Sequence, residues 1–212
     1  MAKVPPTIAV SRRLLAGSAL IASMLVLSYC TQNKAKDPAP QPEAPRTEYG
    51  GFDSPVSWGE HLVTVSACHD CHSPKKMTAL GPEVDTALLL SGHPAKAPGP
   101  DINRKEAESK GLVVTDGSLT AWAGPWGVSY TANLTSDSTG IGGWNEGQFL
   151  YAIRNGKYKG MENGRPLLPP MPWQMYRHMT DDELKAIFAY LKSTRPVRNI
   201  VPPPLPPAAA PR

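Results

Sequence analysis

The chain has 212 residues, room for one ordinary domain with extensions. Its 24 prolines are roughly twice the usual share, so part of the chain reads as linker or tail, and three cysteines exclude a dense disulfide framework. The net charge is +4, but residues 1–29 hold Lys3, Arg12 and Arg13 and no acid, so the remainder is near +1 and gives nucleic-acid binding little electrostatic support.

In chain order, that basic start leads into a short apolar run over 14–27, the pattern of an export signal. Leu27-Ser28-Tyr29-Cys30 resembles the lipobox of bacterial lipoproteins, with Tyr29 where a small residue is usual. The resemblance implies lipidation at Cys30, a signal peptide over 1–29 and a membrane tether through the lipid. An uncleaved anchor is the rival reading. Residues 30–53 are polar and Pro-rich and predict an extended tether. Residues 197–212 predict a flexible, polyproline-like tail, which leaves 54–196 as the folded domain.

Four helical pieces are predicted there. The first opens on Ser54-Pro55, a cap followed by proline, carries Trp58, Leu62 and Val65 at helical spacing and runs into Cys68. A short second piece is expected near 82–90. The third opens on Asn145 with Gln148 three positions on, shows Phe149, Leu150 and Ile153 to the core and stops at Gly156. The fourth opens on the capping box Thr180-Asp181-Asp182-Glu183 and carries Leu184, Ile187, Phe188 and Leu191 on one stripe. Between the second and third, Asp116-Gly117 predicts a hairpin turn between 112–115 and 118–122.

Cys68-His69-Asp70-Cys71-His72 is a C-x-x-C-H motif, the attachment pattern of haem c. Two thiols three positions apart reach two vinyl groups on one edge of a macrocycle. The histidine that follows falls beneath the iron as proximal ligand. A redox dithiol, a zinc site using His72, His69 or His93, and a plain disulfide are the competing readings. A second covalent haem is excluded, because no second Cys pair exists.

The chain resembles the bacterial class I c-type cytochromes. The resemblance is carried by Gly59-Glu60-His61-Leu62-Val63 leading into the motif, by Asn133-Leu134-Thr135 with Gly140-Ile141-Gly142-Gly143-Trp144, and by Pro170-Met171-Pro172-Trp173 before the last helix. It implies an all-α fold: a cytochrome c-like helical bundle round one covalent haem, its first and last helices crossed, here with a long loop and hairpin insertion. It also implies Met171 as the distal ligand opposite His72, with His93 as the bis-histidine alternative. Trp126, Trp144 and Trp173 are candidates for lining the haem pocket. The function expected is single-electron transfer outside the cytoplasm, on the periplasmic side of the cell envelope. The partners expected are a redox protein donor or acceptor or a membrane oxidoreductase. A subunit of a dehydrogenase or oxidase complex, or a haem enzyme or sensor with a displaceable distal ligand, is the alternative. The role of residues 73–132 lies outside the resemblance.

Overall fold

A computed structural model describes residues 47–208. The expected signal over 1–29, the lipid site Cys30, most of the tether and the last four residues lie outside the described residues.

Helix α1 (Pro55–Val65) begins where Ser54 and Ser57 cap each other reciprocally and Pro55 fills the first turn, where a missing N–H costs nothing. Gly59, Leu62 and Val63 are its buried positions, whereas Val65 is 63% exposed. The five-residue helix α2 (Cys68–His72) follows after a turn at Ala67. Helix α3 (Arg104–Ser109) had no counterpart among the predicted pieces. Helix α4 (Glu146–Asn155) is capped by Asn145 and Gln148 and ends at left-handed Gly156. The short α5 (Trp173–Tyr176) precedes α6 (Asp181–Ser193), whose Thr180–Glu183 capping box and acidic first turn suit the positive end of the helix dipole.

The core lies between α1, α4 and α6. Leu62, Val63, Leu90, Ile141, Phe149, Ile153, Leu184, Ile187, Phe188 and Leu191 form one buried cluster, with the Phe149 and Phe188 rings 5.4 Å apart. Helices α1 and α6 cross at Gly59, where a Cβ would lie 1.9 Å from the Ala186 carbonyl oxygen. Only glycine permits backbones that close.

The fold is mixed rather than all-α. Strands β1 (Lys75–Thr78) and β2 (Gly81–Val84) form a two-stranded ribbon, and β3 (Val114–Thr115), β4 (Ala121–Gly124) and β5 (Gly127–Tyr130) an antiparallel sheet in that order. The helix expected near 82–90 is instead β2 followed by a 3-10 turn at Thr86–Leu88. Pro82 fits a ribbon edge as well as a helix start, and Gly81, at φ +114°, makes the reversal. The reversal at Asp116-Gly117 falls between β3 and β4. The tighter hairpin is Gly124-Pro125-Trp126-Gly127, joining β4 to β5.

Both flanks of the domain are more structured than their composition suggests. Phe52, in the expected tether, stacks on His61 with ring centroids 4.9 Å apart. The expected flexible tail is bound to the domain as far as Ala208. Asn199 donates from Nδ2 to the Ser91 and His93 carbonyls (2.7 and 2.9 Å) and accepts from the Ala95 N–H at 3.0 Å. Leu205 pairs with Val128 through two 2.9 Å backbone bonds, close beside Gly127, where a Cβ would strike the Leu205 carbonyl. Arg104 donates to the Pro206 carbonyl and the Ala208 N–H to Glu108. A proline-rich segment gives few donors, but its carbonyls still accept, and its stiffness lowers the entropy cost of docking.

Candidate haem-attachment site

The site is built from the end of α1. Ala67 takes the left-handed conformation (φ +57°), which breaks the helix and starts α2 on a new axis. Cys68 and Cys71 lie on successive turns of that helix, half-buried and unpaired. Burial pushes the Cys68 thiol up to about 11 and raises Cys71 as well. A redox dithiol works through a lowered thiol pKa, so this environment is the opposite of what that chemistry needs. Among the described residues no group of three or more His, Cys, Asp or Glu side chains stands where a metal ion could be held, which removes the support for zinc.

His72 closes the helix. Its Nδ1 lies 2.8 Å from the Ala132 carbonyl oxygen, an acceptor only, so Nδ1 carries the proton. Burial holds the imidazole below its ordinary range, more strongly than that carbonyl raises it. Nε2 has no hydrogen-bond partner among the described residues. A neutral ring with one nitrogen fixed by a carbonyl and the other open is the form in which histidine ligates a metal. The backbone is fixed too, because the Gly92 N–H donates to the His72 carbonyl at 2.8 Å.

Around this helix the chain is tied closely. His69 Nδ1 meets Ser73 Oγ at 2.9 Å, and Ser73, fully buried, accepts from the Leu90 N–H. Lys75 donates to the carbonyls of Asp70 and, at 2.9 Å, Ser118, so its ammonium sits on the negative end of α2 and binds the insertion to it. Tyr176 donates to the Ser66 carbonyl at 2.6 Å. Its hydroxyl is raised to about 12, by burial first and then by Cys68, Cys71 and Asp70 nearby. Sequence reasoning missed Tyr176, whose partner is 110 positions away.

Met171 is half-buried, and it borders the same apolar cluster that Cys68 borders, together with Leu134, Trp144, Leu150 and Tyr176. The other predicted residues separate. Trp126 donates from Nε1 to Ser129 Oγ at 3.1 Å, and Trp173 lies under Gly156, where a Cβ would be 2.3 Å from its indole. Of the three tryptophans, only Trp144 borders the cluster shared with Cys68 and Met171. His93 is fully buried with both nitrogens committed, Nδ1 to Thr120 Oγ1 and Nε2 to the Ala97 carbonyl. That leaves it nothing to offer a metal.

Two thiols on one short helix, an imidazole with an open nitrogen and an apolar wall holding a thioether are a donor set that fits haem c. No protein-family profile matches the chain. Relatives do. The chain is 41% identical over 69 residues to the gluconate 2-dehydrogenase cytochrome c subunit of Pantoea cypripedii, covering 32% of this chain and 15% of that one. It is 35% identical over 128 residues to the fructose dehydrogenase cytochrome subunit of Gluconobacter japonicus, covering 50% of this chain and 26% of that one. It is also 39% identical over 79 residues to one of the subunits of nicotinate dehydrogenase from Pseudomonas putida, covering 37% of this chain and 6% of that protein. The chain thus spans about a quarter or less of the length of these relatives. The gluconate and fructose dehydrogenase relatives are cytochrome subunits of dehydrogenases, which supports a c-type cytochrome and implies haem c as its cofactor.

Proposed function

We propose that the domain is a mono-haem electron carrier, attached to haem c through Cys68 and Cys71 and ligated by His72 and Met171. It would work outside the cytoplasm as the cytochrome component of a dehydrogenase. The observation that carries the reading is His72, whose Nδ1 proton is held by Ala132 while Nε2 is open, one residue after the second thiol. Relatives that are cytochrome subunits support the dehydrogenase setting.

Bound haem supplies a one-electron iron couple. The chain's own residues do the rest. Cys68 and Cys71 give the covalent hold. Ala132 fixes the tautomer and direction of His72. Met171, a soft neutral donor, would favour the ferrous state relative to a second histidine. Leu134, Trp144, Leu150 and Tyr176 border the apolar cluster that Cys68 and Met171 also border, and would offer bound haem an apolar contact. Among the described residues no helix is long and apolar enough to cross a membrane. The membrane tether is assigned to lipid on Cys30, on the strength of its sequence context alone.

A haem stain of the full chain on a denaturing gel tests the reading. The wild type stains, and Cys68→Ala with Cys71→Ala together abolishes the stain. A stain-negative wild type made with haem-attachment machinery would overturn it. Cys30→Ser should move the protein from the membrane to the soluble fraction, and an unchanged distribution removes the lipid assignment.

A further inference from the structure

The insertion contacts the Met171 segment at one polar point. Ser129, on β5 and only 7% exposed, donates from Oγ to the Pro169 carbonyl at 2.5 Å. Its oxygen accepts the Trp126 indole N–H at 3.1 Å. The indole can only donate and the carbonyl can only accept, so the Ser129 proton points to Pro169.

The segment needs such a hold. In Leu167-Leu168-Pro169-Pro170-Met171-Pro172, three of six residues are prolines without an N–H. Of the three N–H groups left, Leu167 donates back to Gly156 at 2.7 Å and Met171 makes a long bond to Leu168 at 3.3 Å. The Leu167 bond ties the start of the segment to the end of α4, and the Pro169 carbonyl, two residues before Met171, ties it to the insertion. Three residues beyond Ser129, the same strand's exit carries Ala132, which holds His72.

We infer that Ser129 is a positioning residue for the Met171 thioether, so that one edge of the three-stranded sheet sets both axial side chains, His72 through Ala132 and Met171 through Pro169. This gives the insertion a task, and it rests on the His72/Met171 reading above. Trp126 belongs to the device through its hydrogen bond to Ser129.

The test uses the haem-loaded full chain and reads the long-wavelength band of thioether-bound ferric iron, the midpoint potential and the affinity of the ferric protein for added imidazole. Ser129→Ala weakens the band, lowers the potential and tightens imidazole binding about five-fold, the effect of one ordinary hydrogen bond on an equilibrium. Ser129→Thr restores all three. Trp126→Phe, which frees Ser129 to turn, shifts them the same way by a smaller factor, and it decides the matter should Ser129→Ala fail to fold. Thr115→Ala removes a 2.8 Å bond to Ala121 within the same sheet and leaves the three readings as in the wild type. Wild-type imidazole affinity in both the Ser129→Ala and Trp126→Phe proteins, or an equal change in Thr115→Ala, would overturn the inference while the Met171 ligation stands. A wild type without the thioether band overturns the ligation itself.

Discussion

The helical core and the insertion are held together by different physics. In α1, α4 and α6 the buried positions recur with the helix period, and Leu184, Ile187, Phe188 and Leu191 bury one continuous stripe. Between 73 and 132 few large apolar side chains are buried. There the structure rests on side-chain hydrogen bonds: Lys75 to the Ser118 carbonyl, His93 to the Thr120 hydroxyl and the Ala97 carbonyl, and Asn199 to the Ser91 and His93 carbonyls and the Ala95 N–H. The lesson is that a helical core can carry a long segment that has almost no core of its own when most of its buried polar groups are bonded, with Thr131 Oγ1 the exception among the described residues.

The strongest way to break this comparison is a cavity on the helical side. Phe188→Ala should cost about 3–5 kcal/mol in urea unfolding of the haem-loaded protein, with the whole domain melting together. A cost below about 1 kcal/mol would mean that the stripe is not the main source of stability. On the insertion side, Asn199→Ala removes two donors and one acceptor and should cost about 1–3 kcal/mol. Hydrogen exchange should show the Ala95 amide accelerating while amides of α1 and α6 keep their protection. Equal acceleration everywhere would erase the distinction between the two regions.

A smaller effect should appear with pH. Burial holds His93 below its ordinary range in the folded chain, against weaker upward pulls from the Ala97 carbonyl and Asp116. The unfolded chain therefore takes up protons first as pH falls. The stability that neutral His93 provides is complete above about pH 6.5 and is lost progressively from there down to its depressed folded value. Unfolding measured between neutral and mildly acidic pH should show a gentler slope for His93→Gln than for the wild type. Identical slopes would mean that His93 titrates alike in both states.

Local signals were legible in the sequence and distant ones were not. Ser54-Pro55, Asn145 with Gln148 and Thr180 with Glu183 mark helix starts because each cap is closed within three residues. The C-x-x-C-H motif was visible for the same reason. Pro82 was ambiguous, since a proline serves a helix start or a strand edge equally, and β1 was needed to decide. Val65 continued the helical spacing but falls on the solvent face, while Val63 beside it is fully buried. Ser129 and Tyr176 carried no signal at all, because their meaning lies in carbonyls 40 and 110 positions away.

The docked C-terminal segment has a consequence for the order in which the molecule is completed. Asn199 closes on Ser91 across 108 positions, and Val128 gains its partner only once Leu205 has been added. A nascent chain displays Cys68 and Cys71 long before those closing residues exist. Contacts of such separation form after local ones, since the entropy of closing the intervening loop must first be met. The thiols are thus on the growing chain before the segment from Asn199 to Ala208, which fastens onto Ser91, His93, Arg104 and Val128.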